Sequence, residues 1–233
     1  MQNLVCSVVL CLSVSSASWI EILDAAESSY DITLAQELVE TLRNEDGSEL
    51  FLAEALLILA ELHRIEFEAT DESARSERRA LGKQIDAIAD EAISLLRAAA
   101  QSSHQQRLLA DLLGVKIRSN YQAKKYRKHM EQAAALAIEL DSANGAAYVS
   151  AAKPYLFADE RHRGDVDYAI ELLETALEHN PDIEKAQLLL AHAHEEKGER
   201  VRAEDCYESV LQANSNCRPA REALERLNAE KTR

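Results

Sequence analysis

Turn-forming and aromatic residues are scarce in this chain of 233 residues, with 6 Gly, 3 Pro and aromatics at 5%. A β-sandwich or barrel needs turn residues roughly every ten positions and aromatic or β-branched strands between them, so both architectures are excluded. Positive charge is also short: 26 Lys and Arg stand against 41 Asp and Glu, a formal net charge of −15. Such a surface repels a phosphate backbone, which excludes generic nucleic-acid binding. The sequence has no phosphate-binding Gly loop, no nucleophile elbow, no H-E-x-x-H and no dinucleotide-binding turn. No enzymatic activity, cofactor or metal is therefore expected. What abounds is Ala, Leu, Glu and Arg, the composition of helices packed on helices, and the expected class is all-α.

Long apolar runs are missing except for residues 4–14 (LVCSVVLCLSV), which precede Ser15, Ser16, Ala17 and Ser18. Eleven residues are too few for a spanning helix, which needs about 20. They suit the apolar region of a secretory signal, with Ser15 and Ala17 at the positions a signal peptidase reads. Residues 1–17 are thus expected to be a signal peptide and the mature chain to lie outside the cytoplasm, in a periplasm. No Lys or Arg precedes the run, so the alternative is a buried first helix of a cytoplasmic protein. Of the four cysteines, Cys6 and Cys11 fall in this segment. Cys206 is expected mid-helix and Cys217 in the next turn, beyond the Cα separation of about 7 Å that a disulfide tolerates. Neither belongs to a C-x-x-C or His pair that would hold zinc.

The C-terminal third matches itself. Gly164, Ala169, Leu173, Ala176, Leu177 and Asn180 recur 34 residues later as Gly198, Ala203, Tyr207, Val210, Leu211 and Asn214. The glycine opens a turn between antiparallel helices. The alanine permits close helix approach, and the large residue four positions on fills the space beside it. Pro181 ends one unit and starts the next. This pattern resembles the tetratricopeptide repeat (TPR), most specifically over 182–215 and well over 164–181. Gln187 stands where that repeat carries a large aromatic, which implies looser packing in the last unit. The resemblance implies a right-handed superhelix of antiparallel helix hairpins, a TPR-like solenoid, over residues 18–233. Its clearest repeats are 144–181 and 182–215, with a capping helix at 218–230.

Upstream, residues 137–141 (AIELD) look like an earlier helix end, but 39 residues before 176–180. An insertion at 154–163 accounts for the excess, between a helix starting near Ala146 and one opened by Gly164. Before that only apolar periodicity remains, at 34–42, 50–65 and 85–100, with Gly47 separating the first two. Residues 146–182 also resemble, more weakly, extracytoplasmic bacterial TPR proteins such as the TPR component of TRAP-type transporters.

Three features are candidate sites. Lys116, Arg118, Lys124, Lys125, Arg127 and Lys128 form a basic block without an acidic residue, interleaved with Tyr121 and Tyr126. An acidic protein or anionic lipid headgroups are the surfaces such a block can meet; a solvated face balancing acidic neighbours is the plainer reading. His192, His194, Glu195 and Glu196 suggest a metal cluster, but the two histidines are about 200° apart on a helix. His194 instead falls in the aromatic slot of the repeat, where core packing is expected. Finally, Ala186, Leu189, Leu190 and Ala193 form the apolar stripe of one helix, while Lys185, Leu188, His192, Glu195 and Glu196 share a second face. In the TPR register this second face lines a concave groove. The expected function is a non-catalytic scaffold that holds a peptide or partner protein there. The alternative is an extracytoplasmic ligand-binding or transport-accessory protein of the TRAP-associated type.

Overall fold

The computed structural model describes residues 16–97, 101–158 and 164–231; the apolar run at 4–14 and the second half of the expected insertion, 159–163, lie outside them. Among the described residues there are eleven α-helices and no strand. They are α1 (Ser16–Ser29), α2 (Ile32–Arg43), α3 (Glu49–Ala69), α4 (Arg75–Arg97), α5 (Ser103–Val115), α6 (Asn120–Leu140), α7 (Gly145–Leu156), α8 (Val166–His179), α9 (Glu184–Glu196), α10 (Arg200–Ala213) and α11 (Arg218–Lys231). No described helix is long and apolar enough to cross a membrane. Two compact units result, α1–α4 and α5–α11.

In the first unit α3 touches α1, α2 and α4, which is why its sequence is apolar nearly all round. Ala53, Leu56, Leu57 and Ala60 are almost completely buried. The turn before it uses Gly47 at φ +77°, and Ser48 Oγ donates to the carbonyls of Leu42 and Glu45, each at 2.7 Å. The sequence periodicity places a helix at 85–100, whereas α4 begins at Arg75. Its first turns are polar and carry no apolar stripe, so periodicity misses them. They are held by Arg78, whose Nη1 donates to the carbonyls of Phe67 (2.9 Å) and Thr70 (2.6 Å) at the open end of α3. The guanidinium also lies 4.2 Å from the Phe67 ring centroid.

The second unit is a stack of antiparallel hairpins, α5–α6, α7–α8 and α9–α10, closed by α11. Each second helix ends in the same way. Asp141, Asn180 and Asn214 adopt nearly the same backbone (φ/ψ −153/98°, −148/103° and −135/95°). In each, the side-chain oxygen accepts from the amide two residues on, all at 3.0 Å. An Asx turn of this kind stops the helix and re-aims the chain into the next hairpin. The spacings of 39 and 34 read from sequence are therefore real structural periods.

Packing follows the same register. Ala169 and Ala203 are fully buried, as are Leu173 and Val210, with Tyr207 nearly so. The matching position in α6 is Met130, and there the small residue is supplied from the opposite side. A Cβ on Gly114 would sit only 3.2 Å from Met130 Cε. Gly145, the first residue of α7, is also a contact residue: a Cβ there would meet the Ala176 carbonyl oxygen and Ile183 Cδ1, both at 2.8 Å. Gly198 is needed for a different reason, its φ of +72° with open space around it. Ala203→Leu is expected to overpack α9 against α10 and cost about 1–3 kcal/mol, read from chemical denaturation. Unchanged stability would remove Ala203 from the small-residue slot.

Candidate functional site on the first-helix face of the second unit

First helices α5, α7 and α9 touch one another in sequence, α5 on α7 and α7 on α9. Second helices pair with their own partner and with the next first helix. The first helices therefore form one continuous row along the stack. Polar side chains cross that row. Asp111 of α5, nearly buried, accepts from Lys153 Nζ at 2.7 Å and Ser150 Oγ at 2.8 Å, both from α7. Arg107 approaches its other oxygen at 3.5 Å, and Lys185 of α9 adds its field. Burial pushes the Asp111 carboxyl up, but Lys153, Arg107 and Lys185 together outweigh it and hold the group below the usual carboxylate range. A carboxylate so stabilised is a charged anchor joining three helices, not a proton donor near neutrality.

One level along the row, the ring of Phe157, at the end of α7, stacks on His192 of α9 with centroids 5.4 Å apart and planes at 27°. Phe157 is 62% exposed, so its outer face is open. His192 Nε2 lies 3.9 Å from Glu196 Oε1 one turn on. Leu188, one turn before His192 on α9, is half-buried. Of the five residues expected on this face, Lys185 acts on Asp111, and His192 with Glu196 lies beside Phe157.

Glu195 is placed differently. It accepts from both Arg226 guanidinium nitrogens of α11 and from Tyr207 Oη at 3.2 Å. The Arg226 hydrogen bond leads in holding its carboxyl low, while burial first, and then Glu195, push the Tyr207 phenol well up. Glu195 therefore binds α9 to α10 and α11. All four residues of the expected apolar stripe belong to the core between α7, α8 and α9. Ala186 and Ala193 are fully buried, but so is Ala191, and Leu189 and Leu190 are only partly covered. His194, its side chain largely covered, pairs through Nδ1 with Glu199 Oε2 at 2.8 Å, just before α10. Among the described residues no group of three His, Cys, Asp or Glu side chains is placed to hold a metal. No disulfide joins Cys206 to Cys217.

The basic block is not one surface. Lys116 is buried with its Nζ 5.3 Å from the Tyr126 ring centroid. Arg118 Nη1 donates to the Val115 carbonyl at 3.2 Å, and Arg127 pairs with Glu131 at 2.8 Å. Lys124, Lys125 and Lys128 are exposed on α6. The Asp111 cluster was not found from sequence, because its partners lie 39 and 42 residues away. One local signal exists: Asp111 stands among Leu108, Leu112 and Val115 in the buried stripe of α5.

Hairpins that stack in order and end in the same turn define a helical-repeat protein of the solenoid class. Residues 161–227 match the family model of the tetratricopeptide repeat. Among solved structures, YrrB, a TPR protein with an unusual peptide-binding site, is 14% identical, with 89% of this chain and 98% of that one covered and a TM-score of 0.42. No curated protein matches the sequence.

Proposed function

We propose that the chain is a non-catalytic interaction scaffold that holds a peptide or helix of a partner protein along the α5–α7–α9 face. The observation that supports this reading is the exposed Phe157 ring, stacked on His192 beside Glu196. An apolar surface with donors and acceptors at its edge, fixed on rigid helices, is what an extended partner needs for affinity and orientation. The Asp111 cluster holds the three helices in register, so the face is preorganised before a partner arrives.

The test begins with peptides selected from a random library on the full chain. His192→Ala with Glu196→Ala should leave stability within about 1 kcal/mol, since both side chains are partly solvated and the ring pair contributes little. The same double change should weaken the selected peptides by roughly tenfold or more in calorimetry. Unchanged affinity with an intact fold would move the binding site off this face.

A further inference from the structure

We propose that the lysine face of α6 docks the chain onto an anionic lipid bilayer. Tyr121, Lys125 and Lys128 lie at i, i+4 and i+7, with Lys124 beside them, a stripe about 10 Å long on one helix. Tyr121 is 77% exposed and all three lysines are exposed. The first turn of α6 carries no acidic side chain, so the positive end of the helix dipole adds to the lysines rather than being neutralised. Lys125 Nζ lies 4.8 Å from the Tyr126 ring centroid and remains exposed.

The chemistry of the exposed groups selects the partner. Both arginines of the block are tied inward, Arg118 to the Val115 carbonyl and Arg127 to Glu131. What faces solvent is lysine, which is depleted at protein–protein interfaces where arginine is enriched. Lysine is a flexible point charge that needs no directional partner, which suits a fluid layer of anionic headgroups. Tyr121 adds an amphipathic ring of the kind that settles at headgroup depth. The acidity of the chain is placed elsewhere. Residues 1–99 carry 19 acidic against 7 basic side chains, and residues 100–233 carry 22 against 19.

Co-sedimentation of the full chain with phosphatidylcholine vesicles, with and without about a third phosphatidylserine, tests this. Binding is expected only to the anionic vesicles and is expected to be lost at high salt. Each lysine should contribute about fivefold, so Lys124→Gln, Lys125→Gln and Lys128→Gln together should lower partitioning about a hundredfold. Tyr121→Ala should lower it severalfold, and thermal unfolding of both variants should match the parent. Three outcomes overturn the proposal. Equal binding to both vesicles, or binding unaffected by the triple change, assigns any membrane contact to another part such as residues 4–14. Absence of vesicle binding, with or without lysine-dependent binding of a glutamate-rich peptide, removes the bilayer as the partner.

Discussion

Asp111→Ala should destabilise the protein by about 3–5 kcal/mol, the range for removing one partner of a buried ion pair. The loss is more than one hydrogen bond. Lys153 and Arg107, only 17% and 12% exposed, would keep their charges without the carboxylate that compensates them. Substituting Asp111→Leu together with Lys153→Met should recover much of the loss, because a well-packed apolar pair replaces the ion pair without stranding a charge. The pH dependence has a definite sign. The folded carboxyl lies below its ordinary value of 3.8, so its stabilisation is complete above that value and fades as pH falls through the lower folded pKa. The gap between parent and Asp111→Ala, measured by urea denaturation, should be constant near neutrality and narrow below about pH 4. A loss under 1 kcal/mol at neutral pH would falsify the anchoring role.

Leu173→Ala should cost about 3–5 kcal/mol, toward the upper end for a buried leucine. Leu173 is fully buried at the centre of the α7–α8–α9 core. Several residues of that core are alanines with no side-chain freedom, namely Ala152, Ala169, Ala176, Ala186 and Ala193. They cannot swing into the space, so the cavity stays open and its full cost is felt. Leu227→Ala, in the terminal helix α11 that packs on one side only, should cost less because that helix can settle inward. Equal losses at the two positions in denaturant titrations would show that the core relaxes as freely as the end.

How much of this was legible in the sequence depends on the range over which each feature is encoded. The hairpins from 137 onward were readable because a helix end needs particular residues within a few positions. Asp141, Asn180 and Asn214 announce those ends themselves. The same holds for Ala169 and Ala203, where only a small residue permits the approach. The first unit gave only apolar periodicity, and that signal fails where a helix runs out into solvent, as at the start of α4. The face of α9 was half legible. Helical geometry groups Lys185, Leu188, His192, Glu195 and Glu196, but it cannot tell that Arg226 and Tyr207 wait on one flank to claim Glu195. Phe157 was missed as a site residue because its meaning comes from His192, 35 positions later. The basic block read as one patch from composition, whereas burial and local pairing divide it between inward and outward groups.

The repeated Asx turns and close-range packing also determine how the second unit can assemble. Its side-chain hydrogen bonds run mostly to a neighbouring hairpin or within one, Asn144 to Ser103 across 41 positions, Lys153 to Asp111 across 42, Asn214 to Glu184 across 30 and Arg226 to Glu195 across 31, while the field of Lys185 on Asp111 reaches one hairpin farther. Each segment is ordered by its immediate neighbour, so structure can start at any hairpin and spread in either direction without waiting for distant parts of the chain to meet. Order should be lost from the end that has one neighbour, α11 first, while α7 and α8 hold longest. Amide exchange would show this as a gradient that falls away from the Leu173 core, and the face proposed above to bind a partner, built largely on the slowly exchanging helices, stays intact while the end of the stack frays.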